Sequence, residues 1–235
     1  MSMIPANLQA VQARIAQACA RAGRQPDSVR LLAVSKTFGA EAVQQAWQAG
    51  QRAFGENYVQ EGVEKVLLLR ELGCLGIEWH CIGPLQSNKT RPVAEHFDWV
   101  HTVDRLKVAQ RLSEQRPEGL APLQVCVQIN VDGGPTKSGV APAQALELAL
   151  AVASLPRLRL RGLMCIPEPA PDFATACEVF GRARALFDSL RAQGLELDTL
   201  SMGMSDDLEA AVASGSTLVR AGSAVFGART YPARA

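Results

Sequence analysis

Aromatic residues are scarce in this sequence, and neither sign of charge predominates. Phenylalanine, tryptophan and tyrosine make up 5% of the 235 residues, and the 24 lysines and arginines nearly balance the 23 aspartates and glutamates. Nowhere does the chain contain a basic run, or arginines interleaved with aromatic side chains, as a surface that binds nucleic acid needs. The composition therefore predicts a small molecule, and not a nucleic acid, as the binding partner.

Paired cysteines and long apolar runs are also missing. The six cysteines are scattered and form no Cys-x-x-Cys pair, a distribution typical of small buried side chains in a reducing compartment. No stretch is apolar over the length that spans a bilayer, and the first residues lack the apolar block of a secretory signal. We therefore expect a soluble, cytoplasmic protein with no membrane partner.

Residues 1–26 contain arginines and no acid, a composition that faintly resembles an organellar transit segment. A stronger signal favours a helix that belongs to the fold and ends near Gly23. Four apolar residues recur at helical spacing on one face: Leu8, Val11, Ile15 and Ala18.

Short β-type runs alternate with amphipathic helical segments along the rest of the chain, as in a parallel sheet with crossover helices. Eight runs predict strands: residues 30–35, 52–54, 78–82, 99–102, 123–130, 161–165, 199–202 and 217–221. The predicted helices include residues 40–49, 58–72, 106–115, 143–154, 173–193 and 206–214. Their predicted N-caps are Asp104, Asp172 and Ser205, and their predicted C-terminal stops are Gly50, Gly73 and Gly194.

Eight β/α units with no linker between them predict an α/β fold: a single TIM-type (β/α)₈ barrel with an N-terminal helix, forming one domain over residues 1–235. An open, doubly wound sheet is the alternative. It normally carries a glycine fingerprint after its first strand, where this chain has Ser-Lys-Thr-Phe at 35–38. In a barrel, the functional residues lie where the strands end. The segments that follow the strands are therefore expected to form the site.

Lys36 stands at the end of the first predicted strand and is one of only five lysines in the chain. An amine at the rim of an apolar core is desolvated, which favours its neutral, nucleophilic form. Such a lysine is a candidate nucleophile for an aldehyde. The alternative is a lysine at a strand end whose ammonium group simply reaches solvent.

Small and hydroxylated residues follow the seventh and eighth predicted strands, with Ser-Met-Gly-Met-Ser at 201–205 and Arg-Ala-Gly-Ser at 220–223. In TIM-type barrels these two loops form the usual phosphate site, where backbone N–H groups meet the anion. A lysine amine on one side and a phosphate site on the other suggest pyridoxal 5′-phosphate (PLP), an aldehyde that carries a phosphate.

Several longer motifs carry a family resemblance. They are Ala-Val-Ser-Lys-Thr at 33–37, Phe-Gly-Glu-Asn-Tyr-Val-Gln-Glu at 54–61, Trp-His-Cys-Ile-Gly-Pro-Leu-Gln-Ser-Asn-Lys at 79–89, Leu-Ser-Met-Gly-Met-Ser-Asp-Asp at 200–207 and Gly-Ser-Thr-Leu-Val-Arg-Ala-Gly-Ser-Ala-Val-Phe-Gly at 215–227. In this order they resemble the YggS/PROSC family of PLP homeostasis proteins, from about Arg30 to Arg229. The resemblance implies a monomeric PLP-binding barrel akin to the N-terminal domain of alanine racemases, usually without their second domain.

The resemblance also implies roles for individual residues in cofactor binding. Lys36 matches the lysine that forms the Schiff base with PLP, Asn57 a side chain near the ring oxygen, and Arg220 the arginine that faces the pyridine nitrogen. Met202 is expected to pack against the ring. The residues that match the phosphate site are Ser201, Ser205, Gly222 and Ser223.

Turnover of an amino acid needs more than a Schiff base, because it requires a ring that takes up electron density and correctly placed bases. Arg220 only donates hydrogen bonds, so it favours an unprotonated pyridine nitrogen and a weak electron sink. Racemases of similar architecture add a tyrosine base from another domain, whereas this chain has two tyrosines, Tyr58 and Tyr231. Tyr58 is expected to line the pocket or pack under the next helix. The second base is therefore expected to be missing.

We accordingly expect a protein that is no enzyme: it holds PLP as a lysine aldimine, supplies it to free amines or apo-enzymes, and takes part in intracellular PLP (vitamin B6) homeostasis. Two alternatives remain open. One is a PLP-dependent amino-acid racemase of the alanine racemase type, and the other is a barrel that binds a different phosphorylated metabolite.

Other polar residues are expected to have structural or surface roles. The three histidines, His80, His96 and His101, lack the spacing of metal ligands, so no metal site is predicted. His80 is expected to be a satisfied core residue, with a position in the barrel interior as the alternative. Lys89 and Lys137 lie on predicted loops above the barrel mouth, where they either attract phosphate or are solvated.

Overall fold

The computed structural model describes residues 3–134 and 138–228. Within them eight parallel strands close into a barrel, in which each strand pairs with the next and the last pairs with the first. The strands are β1 (Arg30–Val34), β2 (Ala53–Glu56), β3 (Glu78–Cys81), β4 (Trp99–Val103), β5 (Leu123–Gln128), β6 (Leu158–Met164), β7 (Thr199–Ser201) and β8 (Leu218–Ala221). The predicted TIM-type (β/α)₈ barrel is confirmed.

Helices connect the strands and surround the barrel. They are α1 (Ile4–Arg21), α2 (Ala40–Gln48), α3 (Val59–Glu71), α4 (Thr90–His96), α5 (Leu106–Gln115), α6 (Ala145–Ala153), α7 (Phe173–Ala192), α8 (Leu208–Ala213) and α9 (Ser223–Phe226). Among the described helices, none is both long enough and apolar enough to cross a membrane. A single domain over residues 1–235 stays a prediction, because it includes segments outside the described residues.

Most strand residues are buried on both faces of the sheet, which explains the nearly continuous apolar runs. In β1, successive side chains alternate between the barrel interior and the layer under the helices. Leu32 and Val34 pack inside with Ile82, whereas Ala33 joins the main apolar core with Phe54. The end of each strand therefore places one side chain toward the barrel axis, at the mouth where a site can form.

The predicted elements differ from the observed ones mainly at their ends. Strand β6 begins at Leu158, three residues before the predicted start. Its first four residues, Leu-Arg-Leu-Arg, alternate buried leucines with less buried arginines, which is the pattern of a strand. Helix α4 was not among the predicted helices. It has seven residues and carries Pro92 in its first turn, so its apolar period is too short to recognise.

Only one of the three predicted N-caps is confirmed. The Asp172 carboxylate accepts a hydrogen bond at 2.8 Å from a backbone N–H in the first turn of α7. The prediction for Asp104 was wrong, since α5 begins after Arg105, and the Asp104 carboxylate pairs with that guanidinium at 2.6 Å. The prediction of Ser205 as an N-cap was also wrong, since α8 begins after Asp207. Short polar side chains cluster in these loops, so sequence alone did not identify which of them starts the helix.

The predicted C-terminal stops and the first helix are confirmed. Gly50, Gly73 and Gly194 follow α2, α3 and α7 with φ angles of 98°, 74° and 91°, a region that glycine adopts without steric cost. The apolar face predicted for α1 is buried to 4% exposure or less: Leu8, Val11, Ile15 and Ala18. Helix α1 is therefore an integral part of the fold.

Candidate cofactor site

A cavity of about 370 Å³ opens at the end of the barrel where the strands finish. Six of the eight predicted site residues line it: Lys36, Asn57, Ser205, Arg220, Gly222 and Ser223. The remaining lining residues are Val34, Ile82, Ile166, Met204 and Asp206. An amine, an amide, a guanidinium, a carboxylate and two hydroxyl groups thus surround one small space together with four apolar side chains.

Lys36 lies two residues after the end of β1, and α3 fixes the residues on either side of it. Lys65 Nζ donates a hydrogen bond to the Ser35 carbonyl oxygen at 2.8 Å. The Thr37 N–H donates to Glu61 Oε1 at 2.7 Å, and Thr37 adopts a positive φ of 69°. A non-glycine residue in that region costs about 1–3 kcal/mol and persists only where its surroundings hold it. The backbone around Lys36 is therefore held firmly at the rim of the cavity.

Lys65 belongs to a buried ion cluster. Its Nζ lies 2.7 Å from Glu56 Oε1 and 2.6 Å from Glu61 Oε1, and the Glu56 side chain is fully buried. Ser35 Oγ donates to the same Glu56 oxygen at 2.6 Å. Burial raises the pKa of Glu56, and the adjacent Lys65 ammonium opposes that rise. Lys65 was not predicted as a functional residue; its only sequence signal is its position one helical turn after Glu61.

Asn57 follows β2, and its side-chain oxygen Oδ1 is buried without a hydrogen-bond partner among the described residues. Such an oxygen costs about 1–3 kcal/mol unless a ligand supplies the missing donor. Gly83 packs closely here, because a Cβ atom on it would lie 2.1 Å from the Asn57 carbonyl oxygen. The absence of a side chain at Gly83 therefore lets the loop after β3 support Asn57 at the cavity.

Arg220 lines the cavity although it is only 4% exposed. Its Nη1 donates to the carbonyl oxygen and to Oγ of Ser201, both at 2.8 Å, and its Nη2 donates to the Cys165 carbonyl oxygen at 2.9 Å. These bonds leave the Nε–H and one Nη2 hydrogen without a partner in the part of the chain that the structure describes. Burial lowers the pKa of the guanidinium, which nevertheless stays a cation.

Ser201 and Met202, the other two predicted site residues, do not line the cavity. Both are fully buried, and consecutive strand side chains point to opposite faces. Ser201 lies inside the barrel behind Arg220, whereas Met202 belongs to the apolar layer between barrel and helices. Contact of Ser201 with phosphate, and of Met202 with a ring, stays a prediction; the side chain of Met202 packs in a different layer from the expected one.

Donor groups gather at the ends of β7 and β8. The N–H groups of Ser223 and Ala224 precede the first internal hydrogen bond of α9, which runs from the Val225 N–H to the Gly222 carbonyl oxygen. No carbonyl of that helix therefore accepts from them. Ser205 faces the same cavity from the loop between β7 and α8. These donors suit an anion with several acceptor oxygens.

Arg14 of α1 holds the loop that carries Ser205. Its Nη2 donates to the Ser205 carbonyl oxygen at 3.0 Å, and its Nε and Nη2 bind the Glu209 carboxylate at 3.0 and 2.9 Å. Helix α1 also binds α9, because Asn7 Nδ2 donates to the Val225 carbonyl oxygen at 3.1 Å. The first helix thus supports both loops of the candidate phosphate site, a role that its sequence pattern did not predict.

His80 and His101 lie fully buried inside the barrel. His80 Nδ1 is 2.9 Å from His101 Nε2, and His80 Nε2 is 2.9 Å from Glu78 Oε1. The prediction of His80 as a satisfied core histidine is confirmed, and it also faces the barrel interior. Within the described residues, no group of histidine, cysteine, aspartate or glutamate side chains is suited to hold a metal ion.

Four other candidate residues do not reach the cavity or lie outside the described residues. Tyr58 is 58% exposed at the start of α3 and does not line the cavity, so the prediction that it lines the pocket or packs under the helix was wrong. Lys89 ends a short 3₁₀ turn away from the cavity lining. Lys137 and Tyr231 lie outside the described residues.

Comparisons with known proteins identify the family of this chain. A family model described as "Alanine racemase, N-terminal domain" matches residues 6–230. Two relatives are each named "Pyridoxal phosphate homeostasis protein". The one from Escherichia coli is 56% identical over 231 residues, covering 98% of this chain and 99% of its own. The one from Pseudomonas aeruginosa is 59% identical over 235 residues, covering 100% of both chains.

Solved structures show the same relationship. PipY from Synechococcus elongatus, in a structure described as having PLP bound, is 40% identical, with 91% of this chain and 100% of PipY covered and a TM-score of 0.79. Alanine racemase from Corynebacterium glutamicum is 22% identical, with 97% of this chain and 63% of the racemase covered and a TM-score of 0.63, a likeness that shows a shared fold alone. The chain therefore belongs to the family that carries the alanine racemase N-terminal domain, and within it to the pyridoxal phosphate homeostasis proteins.

Proposed function

We propose that this chain binds PLP at Lys36 and takes part in intracellular PLP (vitamin B6) homeostasis by holding the cofactor and supplying it to other proteins. The observation that carries the proposal is the shared cavity, in which Lys36, Arg220, Ser205 and Ser223 face one space of about 370 Å³. Relatives named for PLP homeostasis, and the structure of PipY with PLP bound, support the choice of ligand.

The residues around the cavity suit the parts of PLP one by one. Lys36 supplies an amine for the aldehyde, and the unpartnered buried oxygen of Asn57 suits the ring hydroxyl. An N–H of Arg220 suits the pyridine nitrogen. Ser205, Ser223 and the backbone N–H groups beside them suit the phosphate. When bound, PLP supplies an aldehyde carbon and an aromatic ring that withdraws electrons.

Lys36 provides the covalent link in this proposal. Its Nζ would hold the aldehyde end of the cofactor, whose carbonyl carbon would condense with the amine and release one molecule of water. The apolar side chains of Val34, Ile82 and Ile166 line the same cavity and limit the access of water to the amine. Such a link would be reversible, because water or another amine could displace the lysine, and a carrier needs this reversibility.

Holding the cofactor is favoured over racemisation by the groups around the ring. Arg220 only donates hydrogen bonds, so it does not stabilise a proton on the pyridine nitrogen. The unprotonated ring is a weak electron sink. Racemisation also needs two bases, on opposite faces of the substrate. Lys36 is one, but among the described residues no tyrosine lines the cavity. We therefore propose a carrier without amino-acid turnover; the shared fold alone does not favour the racemase alternative.

We further propose that the acceptors are apo forms of PLP-dependent enzymes, and that the carrier is a cytoplasmic monomer. The six cysteines are free thiols, five of them buried, as a reducing compartment maintains them. Light scattering of the purified protein tests the monomer, and cell fractionation tests the compartment. A stable dimer, or recovery outside the cytoplasm, contradicts these two parts of the proposal.

A paired experiment separates the carrier from the racemase. PLP-loaded protein is mixed with an apo PLP-dependent enzyme, and the activity gained by the acceptor is measured. In parallel, the loaded protein is incubated with alanine or serine in heavy water, and proton NMR follows the α-hydrogen. The carrier proposal predicts transfer with no loss of the α-hydrogen signal. Rapid exchange of that hydrogen, or no transfer, contradicts it.

A further inference from the structure

A chain of hydrogen bonds crosses the inside of the barrel, from the cavity to the opposite end. It starts at Arg220, whose Nη1 donates to Ser201 Oγ at 2.8 Å. Ser201 Oγ is 2.9 Å from His101 Nδ1, and His101 Nε2 is 2.9 Å from His80 Nδ1. His80 Nε2 is 2.9 Å from Glu78 Oε1, at the start of β3. Only Glu78 has appreciable exposure, with 34% of its side chain accessible.

For two neutral imidazole rings, the chemistry of the two ends fixes the direction of every hydrogen bond in this series. A guanidinium only donates, so Ser201 Oγ accepts from Arg220 and gives its own proton to His101 Nδ1. A carboxylate only accepts, so His80 carries a proton on Nε2. In the middle, the donor is then His101 Nε2 and the acceptor is His80 Nδ1. Both rings are neutral, and each has its single proton on Nε2.

The surroundings keep both imidazoles neutral. Burial lowers the pKa of His101 well below its usual value, and the positive charges of Arg220 and Arg30 add to this effect. Burial also lowers the pKa of His80, against the opposing influence of the Glu78 carboxylate. A second proton on His80 Nδ1 would face the His101 Nε2–H donor across 2.9 Å, and one on His101 Nδ1 would face the Ser201 hydroxyl hydrogen.

The far end of the chain is anchored by charge and by stacking. Burial acts to raise the pKa of Glu78, but its hydrogen bonds with His80 and Arg30 and the charge of the Arg30 guanidinium outweigh it and hold that pKa at about 2. Glu78 Oε1 lies 2.7 Å from Arg30 Nη2. The His80 ring also stacks on Trp99, with ring centroids 5.1 Å apart and planes inclined by 12°. The acceptor end therefore keeps one charge and one orientation.

We propose that His101 is a positioning residue for the cofactor site. By accepting the Ser201 proton, it turns the Ser201 oxygen toward Arg220 and so fixes which N–H of the guanidinium faces the cavity. His80 and Glu78 fix the tautomer that makes His101 an acceptor. The inference rests on the proposed function, because the pyridine nitrogen of PLP is the ligand atom that Arg220 then meets.

Orientation, and not proton transport, is the role that this chain can perform. Moving a proton from a guanidinium to a carboxylate runs strongly uphill, since their ordinary pKa values differ by about eight units or more. Packing alone does not account for the chain either, because branched apolar residues usually fill the interior of such barrels. A line of buried polar groups that ends on a ligand-facing guanidinium instead restricts the geometry of that guanidinium.

The donor-to-acceptor direction of these hydrogen bonds is measurable on the protein before PLP is added. With ¹⁵N-labelled histidine, long-range proton–nitrogen correlation spectra show which nitrogen of each ring carries the proton. We expect His80 and His101 to be neutral, with the proton on Nε2, from about pH 6 to 8. A proton on Nδ1, or a charged ring, at either residue overturns the proposal. The variant His96→Gln assigns the third histidine signal.

Substitutions then test the effect on the site. His101→Phe removes the acceptor at nearly constant ring shape, whereas His101→Asn keeps an oxygen for the Ser201 proton. His96→Gln, on α4 and outside this chain of hydrogen bonds, is the matched control. We expect His101→Phe to weaken PLP binding about tenfold, as the loss of one buried hydrogen bond would, and to shift the absorption band of the lysine-bound cofactor. His101→Asn should stay close to the wild type and His96→Gln should match it.

Each outcome decides between positioning and packing. Wild-type affinity and absorption in His101→Phe overturn the proposal, and so does an equal loss in His101→Phe and His101→Asn, which indicates a structural role only. If His101→Phe does not fold, the tautomer spectra of the wild type decide. A wild-type protein that takes up no PLP on Lys36 contradicts the proposed function, whereas the spectra of the ligand-free protein still report the direction of the chain.

Discussion

Lys65 Nζ lies 2.8 Å from the carbonyl oxygen of Ser35, the residue that precedes Lys36. The same ammonium group binds Glu56 and Glu61, so a buried cation on α3 holds the backbone that carries the proposed PLP lysine. Lys65 does not line the cavity. The position of the reactive amine therefore depends on an ion cluster behind the site as well as on the residues that face the ligand.

Replacing Lys65 by methionine leaves the Glu56 carboxylate buried without its ion pair. Removing one partner of a buried pair costs about 3–5 kcal/mol, so we expect a loss of this size in the free energy of unfolding, measured with urea, together with weaker PLP binding. Lys107→Met, on the exposed side of α5, is the matched control. Adding Glu56→Gln to Lys65→Met should recover part of the loss. Equal stability of the two lysine variants contradicts this account.

The histidines inside the barrel make the protein less stable in acid. Burial lowers their folded-state pKa values below the unfolded value of about 6.5, so the unfolded chain takes up protons that the folded chain does not. The free energy of unfolding is unaffected by these histidines above about pH 6.5. Below it, each histidine lowers the free energy of unfolding by about 1.4 kcal/mol per pH unit, until the pH reaches its folded-state pKa. Urea unfolding at several pH values gives the free energy of unfolding as a function of pH. Below about pH 6.5 this free energy should fall less steeply with falling pH for His101→Asn than for the wild type.

That comparison isolates one histidine. Buried carboxyl groups with raised pKa values, such as Glu56, act in the opposite direction, because the folded state binds their protons more tightly, but they titrate alike in both proteins. Glu78, with its pKa held at about 2, stays ionised throughout this range. An identical slope in His101→Asn and the wild type contradicts a neutral, buried His101.

Arg14→Gln should weaken the phosphate end of the site without unfolding the protein. The Arg14–Glu209 pair is partly exposed, so its loss should cost about 1 kcal/mol or less in stability. The loop that carries Ser205 loses its support, and we expect PLP to dissociate roughly three- to tenfold more readily, an effect of about 0.6–1.4 kcal/mol. Pyridoxal, which lacks the phosphate, should bind equally well to both proteins. Arg21→Gln, near the exposed end of α1, is the control.

Gly83→Ala should disturb Asn57 directly. The added Cβ would lie 2.1 Å from the Asn57 carbonyl oxygen, so the backbone has to move, and we expect a loss of about 1–3 kcal/mol in the free energy of unfolding. PLP binding should weaken as well, because Asn57 lines the cavity. Gly119→Ala is the control, since no atom lies within 4 Å of a Cβ built there. Thermal unfolding and PLP titration of both variants give the comparison.

The barrel and the cavity lining are predictable because their signals are local. Apolar runs of strand length alternate with helical periods, and a closed parallel barrel brings all strand ends to one face. Lys36, Asn57, Arg220 and Gly222 could therefore be placed together from the sequence. The order of the motifs along the chain supplied the rest of the candidate site.

What the sequence did not reveal depends on contacts between distant segments or on the exact end of a strand. Arg14 meets Ser205, and Lys65 meets Ser35, only after the helices have packed on the barrel. Met202 lies one residue beyond β7. A shift of one position along a strand moves a side chain from the inside of the barrel to the outer apolar layer, and Met202 lies in that outer layer.

Peptide mapping after borohydride reduction of the PLP-loaded protein tests the central claim most directly. Reduction makes the bond between lysine and cofactor permanent, so that mass spectrometry of the digest locates it. We predict a single labelled peptide with the added mass on Lys36, and no label in Lys36→Ala. A label on Lys65, Lys89 or another lysine, or no label on the wild type, contradicts the account.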